Sequence, residues 1–548
     1  MYYELRDCLN NLEKFKTILT SVKESERLAV LKKQDNSGDT ILMLAARWEH
    51  LDIVKCILDL VPAADLQELF TVQNRNGSTA FHDATLVVKE YILKSVPPAK
   101  VHSLLAIQNN KGNTVLHHLA RGNNVQLMKY IVESVSATDL YNLISIQNQD
   151  GQTVIHITSV SASCKDIIKF IIDAVSVTEL YRLLSIQDKD GRTAFQWAVD
   201  HGHNTEILQC MVQSLPVVDL QKLLILQDKD GQTAIHRAFS RGHTDILKIM
   251  TDVLPPTDLL DIFNEKDAST GNTVAHEAAF KGHTEVVQLL LNSITAKKRI
   301  GFLALPNKNG STALHMATER GHSETVKCIL DSVASSELNK LLLMQTENGR
   351  TALHCAATSD QLHTLKYIVD ALPAADLYKL ISVQDTSGET AFHNVAKNKD
   401  KETLKFLLGV LSTADLCKIL SVQNASGDTV LHIAADKAQS DIVKHILNLV
   451  PADELFKLVS IQNENKETAV HQAFNQDKTM KTAKLFIDYL PAADYVNLLL
   501  IQNCFSETIA HVAACINGKN RLADISPDID SKPRGDGEII MGCSKKNK

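Results

Sequence analysis

The chain has 548 residues, 44% hydrophobic and 22% charged, with 57 Lys and Arg against 64 Asp and Glu and a formal charge of −7. A charge this weak over such a length argues against a nucleic-acid partner, since such binders usually show a basic excess or a basic stripe, and the composition offers ample apolar material for burial. No uncharged apolar stretch of about eighteen residues occurs, and Glu4, Arg6, Asp7 and Glu13 stand where a signal peptide needs an apolar core, so neither membrane insertion nor export is expected. Ten cysteines form no C-x-x-C pair, which suits reduced thiols in the cytoplasm, or in the nucleus, and no metal or other cofactor is expected.

In chain order the first element is a charged stretch, residues 1–33, whose part from Phe15 onward aligns with the second half of the unit that follows. From residue 34 a unit repeats, anchored on a glycine two residues before a threonine: Gly38, Gly77, Gly112, Gly151, Gly191, Gly231, Gly271, Gly310, Gly349, Gly388 and Gly427, then Lys466 and Ser506. The spacing is 39 or 40 residues, except for one interval of 35 that ends at Gly112. The threonine is present in all thirteen copies, and a histidine follows three residues later in eleven, Met43 and Gln196 being the exceptions. Glycine supplies a positive φ to a tight turn, and the threonine hydroxyl can cap a helix start. A small Ala two positions after the histidine lets neighbouring units approach. The apolar spacing of Leu314, Ala317, Val326, Ile329 and Leu330 predicts two antiparallel helices.

These segments, the clearest being "NGSTALHMATERGH" from Asn309 to His322, resemble the ankyrin repeat. The resemblance covers residues 34–516 and implies an all-α ankyrin-like solenoid, with residues 1–33 as a partial repeat that caps it. The family's usual unit is about 33 residues long, so each copy here holds about six more. The extra residues fall after the second helix, in segments such as "LPAADLYKLI" and "VPADELFKLV". A proline, an acid three residues on and leucines behind it form a helix start, so an extra short helix is predicted in place of the hairpin finger, with Leu377 and Leu380 facing the stack. Residues 517–548, rich in Gly, Pro and charge, are expected to be disordered; they include an RGD triplet, Arg534 to Asp536, which lacks the export signal an adhesion motif needs.

No nucleophile elbow, phosphate loop or zinc-protease motif occurs, so no catalysis is expected. Most of the twenty-one histidines fall at repeat positions, where an imidazole is read as a strut between units. The resemblance implies a concave face that binds protein partners. There the position before the Gly-His turn reads Trp48 in the first copy and His201, Arg241, Lys281 and Arg320 in four consecutive copies, with Arg192 and Arg350 just after the turn glycine. Such a row suits an acidic or amphipathic segment, although a cation in the last turn of a helix is also favoured by the helix dipole alone. Trp48 reads equally as solvent-facing or as packed under the preceding turn; Trp197, directly after the histidine position, reads as core. The expected protein is thus a monomeric, non-catalytic interaction scaffold or adaptor. Two alternatives stay open at this point: a host-directed ankyrin effector of an intracellular bacterium, acting in host cytosol, and the ankyrin part of a larger enzyme or membrane protein.

Overall fold

The computed structural model describes residues 1–62, 64–201, 205–358, 361–476 and 480–515, of which the side chains at 98, 99, 492, 493 and 513–515 are not described. His203 and the expected disordered tail at 517–548, with its RGD triplet, lie outside the described residues. Among those described there are forty α-helices, one 3-10 turn, no β-strand and two isolated bridges, Gln187 with Thr193 and Gln502 with Thr508. The all-α class expected from the sequence is the class observed. The chain divides between Lys308 and Asn309 into two compact units, each a stack of three-helix repeats.

The copy around His315 shows how the sequence makes a repeat. Thr312 caps the first helix, Ala313–Arg320, and Gly321 at φ 76° ends it; the second helix is Ser323–Asp331 and the third Ser335–Leu342. Leu314, Ala317, Val326, Ile329 and Leu330 are all buried, as are Leu338, Leu341 and Leu342 of the third helix. Each large aliphatic side chain so buried contributes about 1.5–3 kcal/mol. Leu377 and Leu380, in the third helix Ala374–Ile381, face the stack as predicted. At the N-terminus the structure adds to the sequence reading a short helix, Tyr2–Asp7, ahead of Leu12–Ser21 and Glu24–Leu31, with the Tyr2 hydroxyl donating to Asp39 O at 2.9 Å. That helix carries no Gly-x-Thr signal to reveal it.

The threonine and histidine are joined by one hydrogen-bond relay. The backbone N–H of Thr114 donates to His117 Nδ1 at 3.1 Å, and the Thr114 hydroxyl lies 2.8 Å from the same nitrogen. A backbone amide can only donate, so Nδ1 is bare and Nε2 carries the hydrogen. His117 Nε2 therefore donates to Gln152 O, 35 residues on in the next repeat, at 3.1 Å. The same bridge runs from His82 to Asn113 O, His156 to Arg192 O and His236 to Asn272 O, and in the second unit from His354 to Glu389 O and His432 to Glu467 O. Gln196, one of the two exceptions, performs both tasks with an amide: Oε1 accepts from Thr193 N–H at 2.8 Å and Nε2 donates to Gln232 O at 3.0 Å. Met43 keeps only the first, through a 3.4 Å contact of its sulfur with Thr40 N.

Glutamine does the work of the missing finger. Gln147 Nε2 donates one hydrogen to Gly151 O in its own turn at 2.6 Å and the other to Gln187 O of the next repeat at 2.9 Å. The rungs continue from Gln187 to Gln227 and, in the second unit, from Gln384 to Gln423 to Gln462 to Gln502. The turns also stack through their main chains, as where Lys189 N–H donates to Asp150 O at 2.9 Å. A Cβ on Gly151 would lie 2.6 Å from Lys189 N, so glycine is required there by proximity as well as by its φ of +77°.

One repeat departs from the pattern. After Gly77 the first helix is only Ala80–Asp83, and Thr85 N–H donates to Ala46 O of the preceding repeat at 3.1 Å. In the next helix, Leu86–Ser95, Lys89 takes the inward position that Leu247 holds in Thr244–Val253. Its buried ammonium donates to His82 O at 3.1 Å and to Ala84 O, carbonyls left open by the truncated helix, and burial pulls its pKa down to about 8.

Burial holds the relay histidines neutral: His82, His117, His315 and His471 fall from 6.5 to about 4, and His156, His236, His354, His393 and His432 are lowered for the same reason. Above pH 6.5 neither the folded nor the unfolded chain protonates them, and stability is at its full value. As pH falls from 6.5 toward 4 the unfolded chain takes up protons that the folded chain refuses, at about 1.4 kcal/mol per histidine per pH unit. The melting temperature followed by circular dichroism is therefore expected to be level from pH 8 to 7 and to fall by roughly 10 °C or more by pH 5; a level profile to pH 5 would contradict the relay.

Candidate functional site

The turn tips and first helices of successive repeats form one face of each stack. The last turn of the first helix and the residues flanking the turn glycine lie along it, with the residue just after the relay histidine beneath them, buried in some copies, as at Arg237 and Cys355, and half-buried in others, as at Trp197. In the first unit this brings together two of the cations singled out in the sequence, Arg192 and Arg241, around a residue it did not single out, Asp200.

Asp200 ends the helix Ala194–Asp200 and is almost buried. Arg241 of the next repeat reaches it at 3.2 Å and also donates to its backbone carbonyl; Arg192 lies 3.8 Å away. A third guanidinium, Arg237, is 3.3 Å from Asp200 and grips Asp228 with Nε at 2.7 Å and with Nη2, while Asp230 lies 3.5 Å off. Arg237 occupies the slot after the relay histidine His236, a position that is apolar in seven of the thirteen copies. The sequence signal that could have exposed it is that arginine with an aspartate nine residues upstream, in the turn facing it. The basic row is thus interleaved with carboxylates here.

Trp197 holds the equivalent slot one repeat earlier and is half-buried, against the expectation of a core residue. Its indole N–H donates to Asp188 Oδ2 at 2.8 Å, a polar partner in the turn that draws the ring toward the surface. The His201 ring stacks parallel to the indole, 6.0 Å between centroids at 10°, with Nδ1 2.9 Å from Trp197 O. Lys281 is exposed, its ammonium 5.6 Å from the centre of the Phe280 ring. Trp48, several repeats nearer the N-terminus, is 53% exposed, which settles its two readings.

In the second unit Arg320 is exposed in the last turn of its helix, and Arg350 donates to Thr358 Oγ1 at 2.7 Å and His354 O at 3.3 Å. The same unit has a polar groove of about 650 Å³ between the turn tips around Ser387 and Ser426, walled by Glu389, Lys397, Asp428 and Asp436. Lys397 pairs with Glu389, and Lys437 with Asp436 at 3.3 Å. Beside it the Glu467 carboxyl is pushed up by burial and by the charges of Asp428, Glu507 and Asp436. Among the described residues no group of His, Cys, Asp and Glu could hold a metal ion, and no helix is long and apolar enough to cross a membrane.

A family profile of three tandem ankyrin repeats matches the chain in overlapping windows from residue 177 to 454, just over half its length, and a single-repeat profile matches 37–67. The chain belongs to the ankyrin-repeat family. Among solved structures it is similar to the ankyrin repeat domain of Bcl-3, described as a unique member of the IkappaB protein family, at 20% identity over 46% of this chain and 98% of that one, with a TM-score of 0.37. No curated protein matches the sequence. Ankyrin repeats are a protein–protein interaction module, of a fold that generally serves binding rather than catalysis.

Two arginines in the same cluster are expected to differ sharply. Arg237→Ala leaves the buried Asp228 and Asp200 carboxylates short of a partner and should lower stability by about 3–5 kcal/mol, whereas Arg241→Ala, half in solvent, should cost less than about 1 kcal/mol. Urea midpoints of the two variants check this; equal shifts would refute it.

Proposed function

We propose that this chain is a non-catalytic scaffold or adaptor, monomeric and cytoplasmic, that holds protein partners against the turn-and-first-helix faces of its two units. The observation that carries the reading is the exposure of His201, Arg241 and Lys281 at one position of successive repeats. The groove of the second unit supports it with a recess of about 650 Å³, roomy enough for an extended segment. Free thiols at Cys8, Cys56, Cys164, Cys210, Cys328, Cys355, Cys417 and Cys504 support a reducing compartment.

The partner-contacting residues on this reading are Trp48, Arg192, His201, Arg241, Lys281, Arg320 and Arg350. Because Arg192 and Arg241 are already engaged by Asp200, Lys281 offers the less encumbered charge in the first unit, and the fitting partner is amphipathic with scattered acids. Proximity labelling in cells identifies the partner. Lys281→Glu combined with Arg320→Glu should then weaken its capture roughly tenfold or more with the melting temperature unchanged; undiminished capture would overturn the assignment of these residues.

A further inference from the structure

The short interval between Gly77 and Gly112 cuts the first helix of one repeat to Ala80–Asp83 and its connection to the second helix to two residues, Ala84 and Thr85. A gap results against the turn Gly122–Asn124 of the repeat after, lined by Leu86, Val87, Asn124 and Leu127. The hydrogen bond from Thr85 N–H to Ala46 O pins the shortened chain at the foot of this gap, so that Trp48 and Leu86 stand one or two residues to either side of one backbone contact.

The helix that starts there departs from the usual pattern in its first turn, although Val88, Ile92 and Leu93 are buried as expected. Its first two residues, Leu86 and Val87, are 52% and 50% exposed, while Lys89 is buried. At the position of Val87 the equivalent helices carry an acid: Asp52 in Leu51–Leu60, Asp245 in Thr244–Val253 and Glu285 in Thr284–Ser293. Leu86 and Val87 line a groove of about 250 Å³ with Leu127 and Tyr130, the latter 36% exposed. Exposed apolar side chains scattered singly are ordinary, but several gathered at one irregularity of an otherwise regular array mark an interaction site, and Trp and Tyr are the usual anchors of such sites.

The charges around the gap are uneven. Glu49 and Asp52, both exposed, flank Trp48 and pair with no cation among the described residues, whereas Glu90 in the groove holds Lys94 at 2.6 Å. Arg121 is exposed on the opposite edge. Because the groove lies between two neighbouring second helices, Leu86–Ser95 and Val125–Ser134, it suits a third helix laid along it.

We propose that this gap is a docking site for an amphipathic helix of another protein, whose apolar residues fill the groove lined by Leu86, Val87 and Tyr130 and whose Lys or Arg residues reach Glu49 and Asp52 across the contact of Thr85 with Ala46. The proposal rests on the reading of the chain as a protein-binding module but not on the basic positions of the inner face.

The test uses a displayed library of random peptides about 16 residues long, selected on the full chain and counter-selected on Leu86→Thr/Val87→Asp. That variant gives the helix the first two residues of Thr244–Val253, so its fold is retained, as an unchanged melting temperature verifies. Recovered peptides are expected to carry large apolar residues at helical spacing together with Lys or Arg. They should bind the variant roughly tenfold more weakly, lose affinity on Glu49→Lys/Asp52→Lys, and bind Lys281→Glu normally. In a Trp197→Phe background, leaving Trp48 as the sole indole, binding should shift its emission to the blue. Failure to recover peptides that discriminate the variant, or recovery of acidic ones, would overturn the proposal. So would a dimer of the chain alone, seen by sedimentation and abolished by the variant, because the occupant would then be a second copy. The Lys281→Glu control separates failure here from failure of the inner-face assignment.

Discussion

A buried imidazole with a bare Nδ1 and a hydrogen on Nε2 is the constraint on which the rest of each stack depends. It ties the capped start of one first helix to a turn carbonyl of the next repeat, and it can do so only while neutral. A proton on Nδ1 would confront the threonine amide that Nδ1 must accept, and a charged ring would sit in surroundings too dry to solvate it. That Gln196 reproduces both bonds with an amide shows what the position demands: an acceptor and a donor on opposite ends of a short rigid group. Hydrophobic burial supplies most of the stability, but it is indifferent to register. The relay fixes which turn meets which helix.

The long period follows from a second exchange of interactions. A short third helix occupies the place of the hairpin finger and buries its leucines on the stack. The turns, having lost the finger, are tied by glutamine amides whose two hydrogens serve two repeats at once. This arrangement tolerates local substitution, as at Lys466 and Ser506, which adopt the left-handed turn conformation without glycine. It does not tolerate deletion silently. Where the chain is shortened before Gly112, the truncated helix leaves carbonyls open, a lysine is drawn inside to meet them, and Leu86 and Val87 at the start of the following helix face solvent. The irregular repeat is therefore the place where the array differs most from itself, and the place where a surface for a partner is built.

Much of this was legible in the sequence because its signals are local. The Gly-x-Thr-x-x-His phase, the alternation of buried leucines and the proline-acid-leucine start of the third helix each lie within about ten residues, and each marks the element it was read as marking. The missed features depend on partners one repeat away, 37 to 41 residues along the chain. Nothing local says that Gln147 meets the carbonyl of Gln187, or that Arg237 and Arg241 converge on Asp200. For the same reason the basic row read as a plain stripe of charge, though its carboxylates stand between the arginines. Trp197 read as core although its indole N–H meets Asp188 in the turn. The exposure of Leu86 and Val87 and the burial of Lys89 went unread in the sequence, because they follow from the shortened helix beside them.

Nitrogen-15 NMR of the histidine side chains tests the central constraint most directly. The relay histidines should show an unprotonated Nδ1 and a protonated Nε2 at pH 7, and should keep that state as the pH is lowered until the chain unfolds cooperatively. Relay imidazoles that titrate near pH 6.5 within the folded protein, or that carry their hydrogen on Nδ1, would contradict the account.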